Sequence, residues 1–443
     1  MTTVASKEFS TSTGSDRGSD SVSRRGSESD HEKAIQYEDC TGAAYRIRKG
    51  VSKTPLQISP QLSTIAGMNI FFKKEYTLPT GSFKERGARN SLEMLTKVQR
   101  AKGVIAASAG NHALALAYHG KLLDIPVTVV MPTVAPLMKV AQCETYGATV
   151  IMHGSDVGEA KKFATLKGKE SNLQYINGYN HPHILAGQGT IALEILEQME
   201  TLSHKIDAVV VPMGGGGLIA GISVVIKHLM PQVQVIGVES EKCPSFSESL
   251  KAGYPVETVA KPTLADGLAV PKVGPSALAT AKGNVDRTVV VSEDDIALAI
   301  LRLVEIEKAV VEGAGATGLA ACLSGQLSDL QGKNVVIVLS GGNIDTTVLG
   351  RCIDRGLAAD GRLVRLTILV DDRPGGLKGL VEFLFEQGVS VKDIVHERTW
   401  LKGSIFNVEI ECVVETRGGK HAEKLRTAAM NKYGKKFIKW GHR

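Results

Sequence analysis

A chain of 443 residues exceeds what one ordinary core organises, and two or three domains are expected. Hydrophobic residues make up 43%, aromatics only 5%, and glycines number 47, the balance of a globular α/β chain with many tight turns. The formal charge of +6 is scattered, with no basic stripe interleaved with aromatics and no apolar run long enough to cross a bilayer, which argues against nucleic acid and membrane as partners.

Cys40, Cys143, Cys243, Cys322, Cys352 and Cys412 lie far apart without a CxxC pair, against a zinc site or a secreted disulfide framework and for a reducing compartment. Residues 1–34 are rich in Ser, Thr and Gly and poor in large apolar residues, so a disordered tail is expected. Its acidic residues, Glu8, Asp16, Asp20, Glu28, Asp30 and Glu32, count against an organellar presequence and favour the cytoplasm. "RRGSESD" at 24–30 offers serines for phosphorylation, or simply solvated serines.

From about residue 40 the pattern is strand, turn, helix. "TGSFKERGA" at 80–88 places Lys84 beside Phe83 ahead of a helix, where it reads either as a solvated lysine or as an amine nucleophile standing without a carboxylate partner. "GVIAASAGNHALALAYHGKLL" reads as a buried strand, a polar turn and an apolar helix. "IPVTVVMP", "ATVIMHG", "AVVVPMGGGGLIAGISVVIKHL", "VQVIGVES" and "NVVIVLSGGN" repeat the theme. Strands apolar on both faces predict an open, mostly parallel sheet covered by helices, with ligands at the carboxyl ends where "SAGN", "GGGGL" and "SGGN" fall. "GAGATG" at 313–318 matches a dinucleotide spacing but follows helical periodicity, and close helix packing explains it better. After residue 360, "RLVRLTILVDDRPGGLKGLVEFLFEQGVSVKDIVHERT", "GSIFNVEIECVVET" and a basic helix predict a separate ferredoxin-like β-α-β-β-α module with a last short strand "KKFIKW".

Four consecutive glycines, Gly214, Gly215, Gly216 and Gly217, between a strand and a helix predict a phosphate cradle of backbone N–H groups at a helix N-terminus. No Ser-His-Asp order and no metal-ligand spacing stands out. A phosphate cradle, a lysine and polar Gly-Asn turns together fit pyridoxal phosphate, which needs an aldehyde-binding amine, a phosphate cup and groups on the ring nitrogen and phenolic oxygen.

"TGSFKERGA", "SAGNHA", "GGGGL", "LADGLAV", "EGAGA" and "SGGN", in this order over roughly residues 40–350, resemble the threonine/serine dehydratases of the fold-type II pyridoxal-phosphate family. The C-terminal "DRPGGL" region is similar to an ACT domain, an amino-acid-sensing module. The resemblance implies two open twisted α/β subdomains within 35–350, the smaller at about 88–183, a linker at 351–364 and an ACT-like domain at 365–443. It implies that Lys84 is the Schiff-base lysine with Phe83 packed on the pyridine ring, and that Asn111 bonds the phenolic oxygen. Gly214 to Gly217 match the phosphate cup and Ser340 the serine facing the ring nitrogen. Ser108, Asn111 and His112 match the loop gripping the substrate carboxylate.

A hydroxyl rather than a carboxylate at Ser340 leaves a carbanion less delocalised, so loss of a β-leaving group competes better. The chain departs from the family in three places. Leu114 stands where many members have Gln. Ala109 stands where racemases carry a second base. Ser245 stands where serine racemase has a metal-binding aspartate, although Glu239 matches the glutamate, so no metal is expected. The implied activity is conversion of threonine to 2-oxobutanoate and ammonia, with serine to pyruvate as a secondary reaction; a serine racemase and a catalytically silent amino-acid sensor are the alternatives. The implied partners are a small amino-acid substrate, an amino-acid effector at the ACT-like domain, and further copies of the chain as a homodimer or homotetramer.

Overall fold

The computed structural model describes residues 33–399, 404–435 and 438–441, so the Ser-rich segment and "RRGSESD" lie outside the described residues apart from positions 33 and 34. Leu56–Ile58 (β1) and Asn69–Lys74 (β2) open a first sheet. The chain then leaves it to build a second from Val104–Ala107 (β3), Val127–Met131 (β4), Thr149–Met152 (β5) and Gln174–Tyr175 (β6). It returns with Ala208–Pro212 (β7), Gln234–Ser240 (β8), Arg287–Val291 (β9) and Asn334–Leu339 (β10). The first sheet has the order β1-β2-β10-β7-β8-β9 and is parallel except for β1; the second, β5-β4-β3-β6, is parallel throughout.

The pleat explains why these strands are apolar without alternation. In β10, Val336 and Val338 face one core with Val209 and Val211 of β7, beneath helices Pro182–Thr201 and Gly217–Leu229. Val335, Ile337 and Leu339 face the opposite core with Ala208 and Val210, beneath helices Glu293–Arg302 and Gly313–Leu323. The smaller sheet is likewise covered twice, by Asn111–Leu123 on one face and by Val157–Ser171 on the other. Leu114 lies in the first of these layers, fully enclosed by apolar side chains, where an amide would need a buried partner.

The stretch 351–364, expected as a linker, is largely helical. Most of it lies in helix Thr346–Ala359, where Gly356 approaches the backbone of Ala297; the amphipathic face and that close approach keep the segment folded against Glu293–Arg302. Arg302 then donates to Asp360 at 2.6 Å and Arg362 pairs with Glu305. Leu363–Asp371 (β11), Ser390–Glu397 (β12), Asn407–Glu415 (β13) and Ile438–Gly441 (β14) form an antiparallel sheet ordered β12-β13-β11-β14. Helices Gly376–Glu386 and Gly419–Tyr433 cover the face carrying Val364, Leu366, Ile368, Val408, Ile410 and Val414, which completes a ferredoxin-like domain.

Candidate active site

Three strand ends meet here: "SAGN" follows β3, the glycine run follows β7, and "SGGN" follows β10. The turn before Lys84 is stitched to the last of these. Ser82 bridges Gly341, Phe83 N–H donates to Ser340 C=O at 3.0 Å, and Gly342 N–H donates to Gly81 C=O at 2.9 Å. Lys84 thus enters helix Lys84–Glu93 from a fixed direction, and its Nζ donates to Gly178 C=O at 2.8 Å. Burial lowers its pKa from 10.5 to about 8, against the pull of Glu312. The amine therefore does have a carboxylate neighbour, supplied from more than two hundred residues away. Phe83 packs into the core shared with Met213 and Val338, its ring centroid 5.0 Å from Nζ.

The residues after Lys84 are committed elsewhere. Glu85 accepts from Thr80 N–H at 2.5 Å and lies 3.0 Å from His119 Nε2. Arg86 forks onto Glu75 (2.7 and 2.8 Å) and onto Glu194 (2.7 and 2.9 Å), and Lys73 also donates to Glu194 at 2.6 Å. Two cations and two carboxylates thus form a neutral buried cluster beneath the lysine.

Asn111 begins helix Asn111–Leu123, and both ends of its amide are held: Nδ2 donates to Glu312 Oε1 at 2.8 Å, and Oδ1 accepts from Asn343 Nδ2 at 2.8 Å. Burial first, then Asp266, raises the Glu312 pKa from 4.5 to about 7. Ser108 Oγ accepts from Gly110 N–H at 3.2 Å, and a side chain at Gly110 would meet open space. The His112 ring is turned away from that space. Its Nε2 lies 3.1 Å from Ile176 C=O, and burial, then Lys84, lowers its pKa to about 3, so the ring is a neutral donor at Nε2. The loop's capacity for an anion therefore rests on its hydroxyl and its helix-start N–H groups rather than on an imidazolium.

At the glycine run, a Cβ on Gly214 would press on Leu268, on Gly215 and Gly217 on Tyr179, and on Gly216 on Phe246, and Gly216 has φ +93°. Close packing thus demands the glycines and fixes the loop. The first intrahelical bond is Ala220 N–H to Gly216 C=O at 3.0 Å, so the N–H groups ahead of it belong to a helix start that suits a phosphate. Ser340 is buried at the end of β10, and Ser82 Oγ, buried beside Lys84, has no hydrogen-bond partner among the described residues. A depressed amine, a helix-start cradle and an unmatched buried hydroxyl form a donor set that fits pyridoxal phosphate.

Glu239 is committed to a different task. Its oxygens accept from Phe246 N–H at 2.7 Å and from Ser247 N–H at 2.9 Å at the start of helix Ser245–Ala252, while Ser245 Oγ donates to Val270 C=O at 2.7 Å. Gly313, Gly315 and Gly318 each touch a neighbouring segment too closely for a side chain, so "GAGATG" is a packing motif. Glu312 and Asn343 were not singled out as site residues by sequence; both stand inside quoted motifs, at the start of "EGAGA" and the end of "SGGN".

A family model described as pyridoxal-phosphate dependent enzyme matches residues 47–341. An L-threonine ammonia-lyase of Thermotoga maritima is 43% identical over 398 residues, 90% of this chain and 98% of its own. Among solved structures, threonine deaminase isoform 2 from Solanum lycopersicum, in its processed form, aligns with a TM-score of 0.68 at 32% identity, covering 73% of this chain and 95% of that one. Serine racemase from Dictyostelium discoideum aligns with a TM-score of 0.66 at 34% identity, covering 70% and 99%. On the family match over residues 47–341, which takes in both sheets, and the 43% identity along nearly the whole Thermotoga protein, the chain belongs to the pyridoxal-phosphate dependent enzymes, and pyridoxal phosphate is its cofactor.

Proposed function

We propose that this chain is an L-threonine ammonia-lyase, releasing 2-oxobutanoate and ammonia from threonine and, more slowly, pyruvate and ammonia from serine. The observation that carries the reading is Lys84, a buried amine with a pKa near 8, set in a chain 43% identical to an L-threonine ammonia-lyase along nearly that protein's whole length. Pyridoxal phosphate, when bound, supplies an aldehyde that joins an amine and a ring that accepts electrons from the bond broken at Cα.

Lys84 would hold the cofactor through its amine and, as a free neutral base, would take the Cα proton, which its lowered pKa favours. The N–H groups of Gly214 to Gly217 would hold the phosphate, and Phe83 would pack on the ring. Asn111 would donate to the phenolic oxygen. Ser340 would offer the ring nitrogen a hydroxyl rather than a carboxylate, which favours β-elimination over reactions that need a fully stabilised carbanion. Ser108 and the N–H groups of Asn111 and His112 orient the substrate carboxylate.

A second reading, serine racemisation, draws on the likeness to the Dictyostelium protein. Ala109 has no proton to exchange, which favours the lyase. Incubation with L-threonine and L-serine separately, with chromatographic identification of products, tests the choice: 2-oxobutanoate as the main product supports it, and D-serine as the main product overturns it.

The last domain reads as an ACT-like regulatory module. A cavity of about 440 Å³ beside the Gly375–Gly376 helix start, lined also by Asp371, Asn407, Lys432 and Tyr433, offers groups of both signs to an amino-acid effector. Edge strand β12 exposes Val391, Ile394 and Val395, with Ile405 and Phe406 exposed nearby, which suits pairing with a second copy in a homodimer or homotetramer.

A further inference from the structure

Asn343 lies 232 positions from Asn111 in the chain, yet it decides which way the Asn111 amide faces. Its amide lies 2.7 Å from Thr80 C=O. A backbone carbonyl only accepts, so the Asn343 atom there is Nδ2. The same Nδ2 lies 2.8 Å from Asn111, so the Asn111 atom facing it is Oδ1. An amide nitrogen has two hydrogens, and Asn343 uses both.

The consequence for Asn111 is directional. With Oδ1 turned to Asn343, its Nδ2 faces Glu312 Oε1 at 2.8 Å, which occupies one of its two N–H groups. A flipped amide would set two donors against each other at Asn343 and, with Glu312 ionised, two acceptors against each other at Glu312, with both bonds lost. The second N–H of Asn111 is left for a ligand, and that ligand atom must be an acceptor. Gly81 supplies the space for the device: at φ +74° it lies against Asn343 Oδ1, where a Cβ would collide.

We propose that Asn343 is a positioning residue: by spending both of its amide hydrogens on Thr80 C=O and Asn111 Oδ1, it locks Asn111 as a donor toward the phenolic oxygen of pyridoxal phosphate and so favours the ionised form of that oxygen. The proposal rests on the reading of Asn111 as the contact to that oxygen. Asn343 acts only through Asn111, and a donor held by fixed partners recognises an oxyanion without reorganising.

The test compares wild type, Asn343→Ala, Asn343→Asp, Asn111→Ala and the double variant Asn111→Ala/Asn343→Ala in the full chain. Affinity for pyridoxal phosphate is measured by titration of apoprotein at pH 8, together with the pH titration of the bound cofactor's visible band and thermal unfolding of the apoprotein. Asn343→Ala and the nearly isosteric Asn343→Asp, which loses the donors, should each weaken binding about tenfold and move the visible band toward its protonated form. In the Asn111→Ala background the Asn343 substitution should add nothing. Equal loss with and without Asn111, or wild-type binding and spectrum in Asn343→Asp, overturns the proposal; the aspartate variant decides alone where the alanine variant does not fold. Wild-type binding and spectrum in Asn111→Ala would instead overturn the reading of Asn111 beneath it, and the proposal with it.

Discussion

Glu85 and Arg86, adjacent in the chain, are anchored in opposite directions: Glu85 meets His119 on the small-sheet helix at 3.0 Å, while Arg86 forks onto Glu75 and Glu194 of the larger body. The residue before them is Lys84, so the amine is carried on a helix turn clamped to both sheets. Arg86→Leu would leave Glu75 and Glu194 with only Lys73 as a buried counter-charge. The expected loss is about 3–5 kcal/mol in urea unfolding. Arg86→Lys should recover only part of it, because the three N–H groups of an ammonium cannot replace the four hydrogen bonds of the guanidinium fork to Glu75 and Glu194. A loss below about 1 kcal/mol in the leucine variant would contradict this account of the cluster.

Lys84 should react as a weakened ammonium in the apoprotein. With a pKa near 8, about one amine in ten is neutral at pH 7, far more than for an ordinary lysine. Competitive acetylation followed by mass spectrometry of the Lys84 peptide should show labelling that rises through a midpoint near pH 8. The sign for stability follows: the cost of burying the ammonium is fully present below pH 8 and fades as pH rises toward 10.5. A midpoint above 10 would contradict the burial argument.

Glu312 works in the other direction. Its folded-state pKa is raised from 4.5 to about 7, so the apoprotein loses stability from this group as pH climbs through that window, and the full cost is present above pH 7. Glu312→Gln keeps an acceptor for Asn111 and removes the titration. It should flatten the stability profile between pH 4.5 and 7 and shift the Lys84 labelling midpoint downward, since Glu312 raises the lysine's pKa. An unchanged midpoint would show that the two groups do not interact.

Much of this architecture was readable before folding. Residues 208–212 and 335–339 are apolar at every position because a doubly covered parallel sheet buries both faces, and the polar turns fall at their carboxyl ends. The unread part is long-range. Nothing near Asn111 announces that Glu312, 201 positions on, will take one end of its amide, or that His112 will turn to Ile176. The packing of the 351–364 segment is long-range too, since Gly356 meets the backbone of Ala297, 59 positions earlier.

The last domain has its own apolar core, and a cut after Asp360 keeps both partners of the Arg302–Asp360 pair on the retained side. That truncation should leave cofactor binding and threonine turnover within about threefold and abolish any response to added amino acids, read as rate against effector concentration. A truncated enzyme with the full-length response would move regulation into the catalytic part.

The central claim is that Lys84 performs the chemistry on threonine. The most direct measurement is 2-oxobutanoate release from L-threonine by the wild type and by Lys84→Ala, with circular dichroism to confirm folding. The account predicts turnover in the wild type and, in the variant, loss of the cofactor's linked absorbance with a fall in rate of at least about 10²–10⁴-fold, the contribution of a positioned base alone. Near-normal 2-oxobutanoate release by a folded Lys84→Ala protein would contradict it.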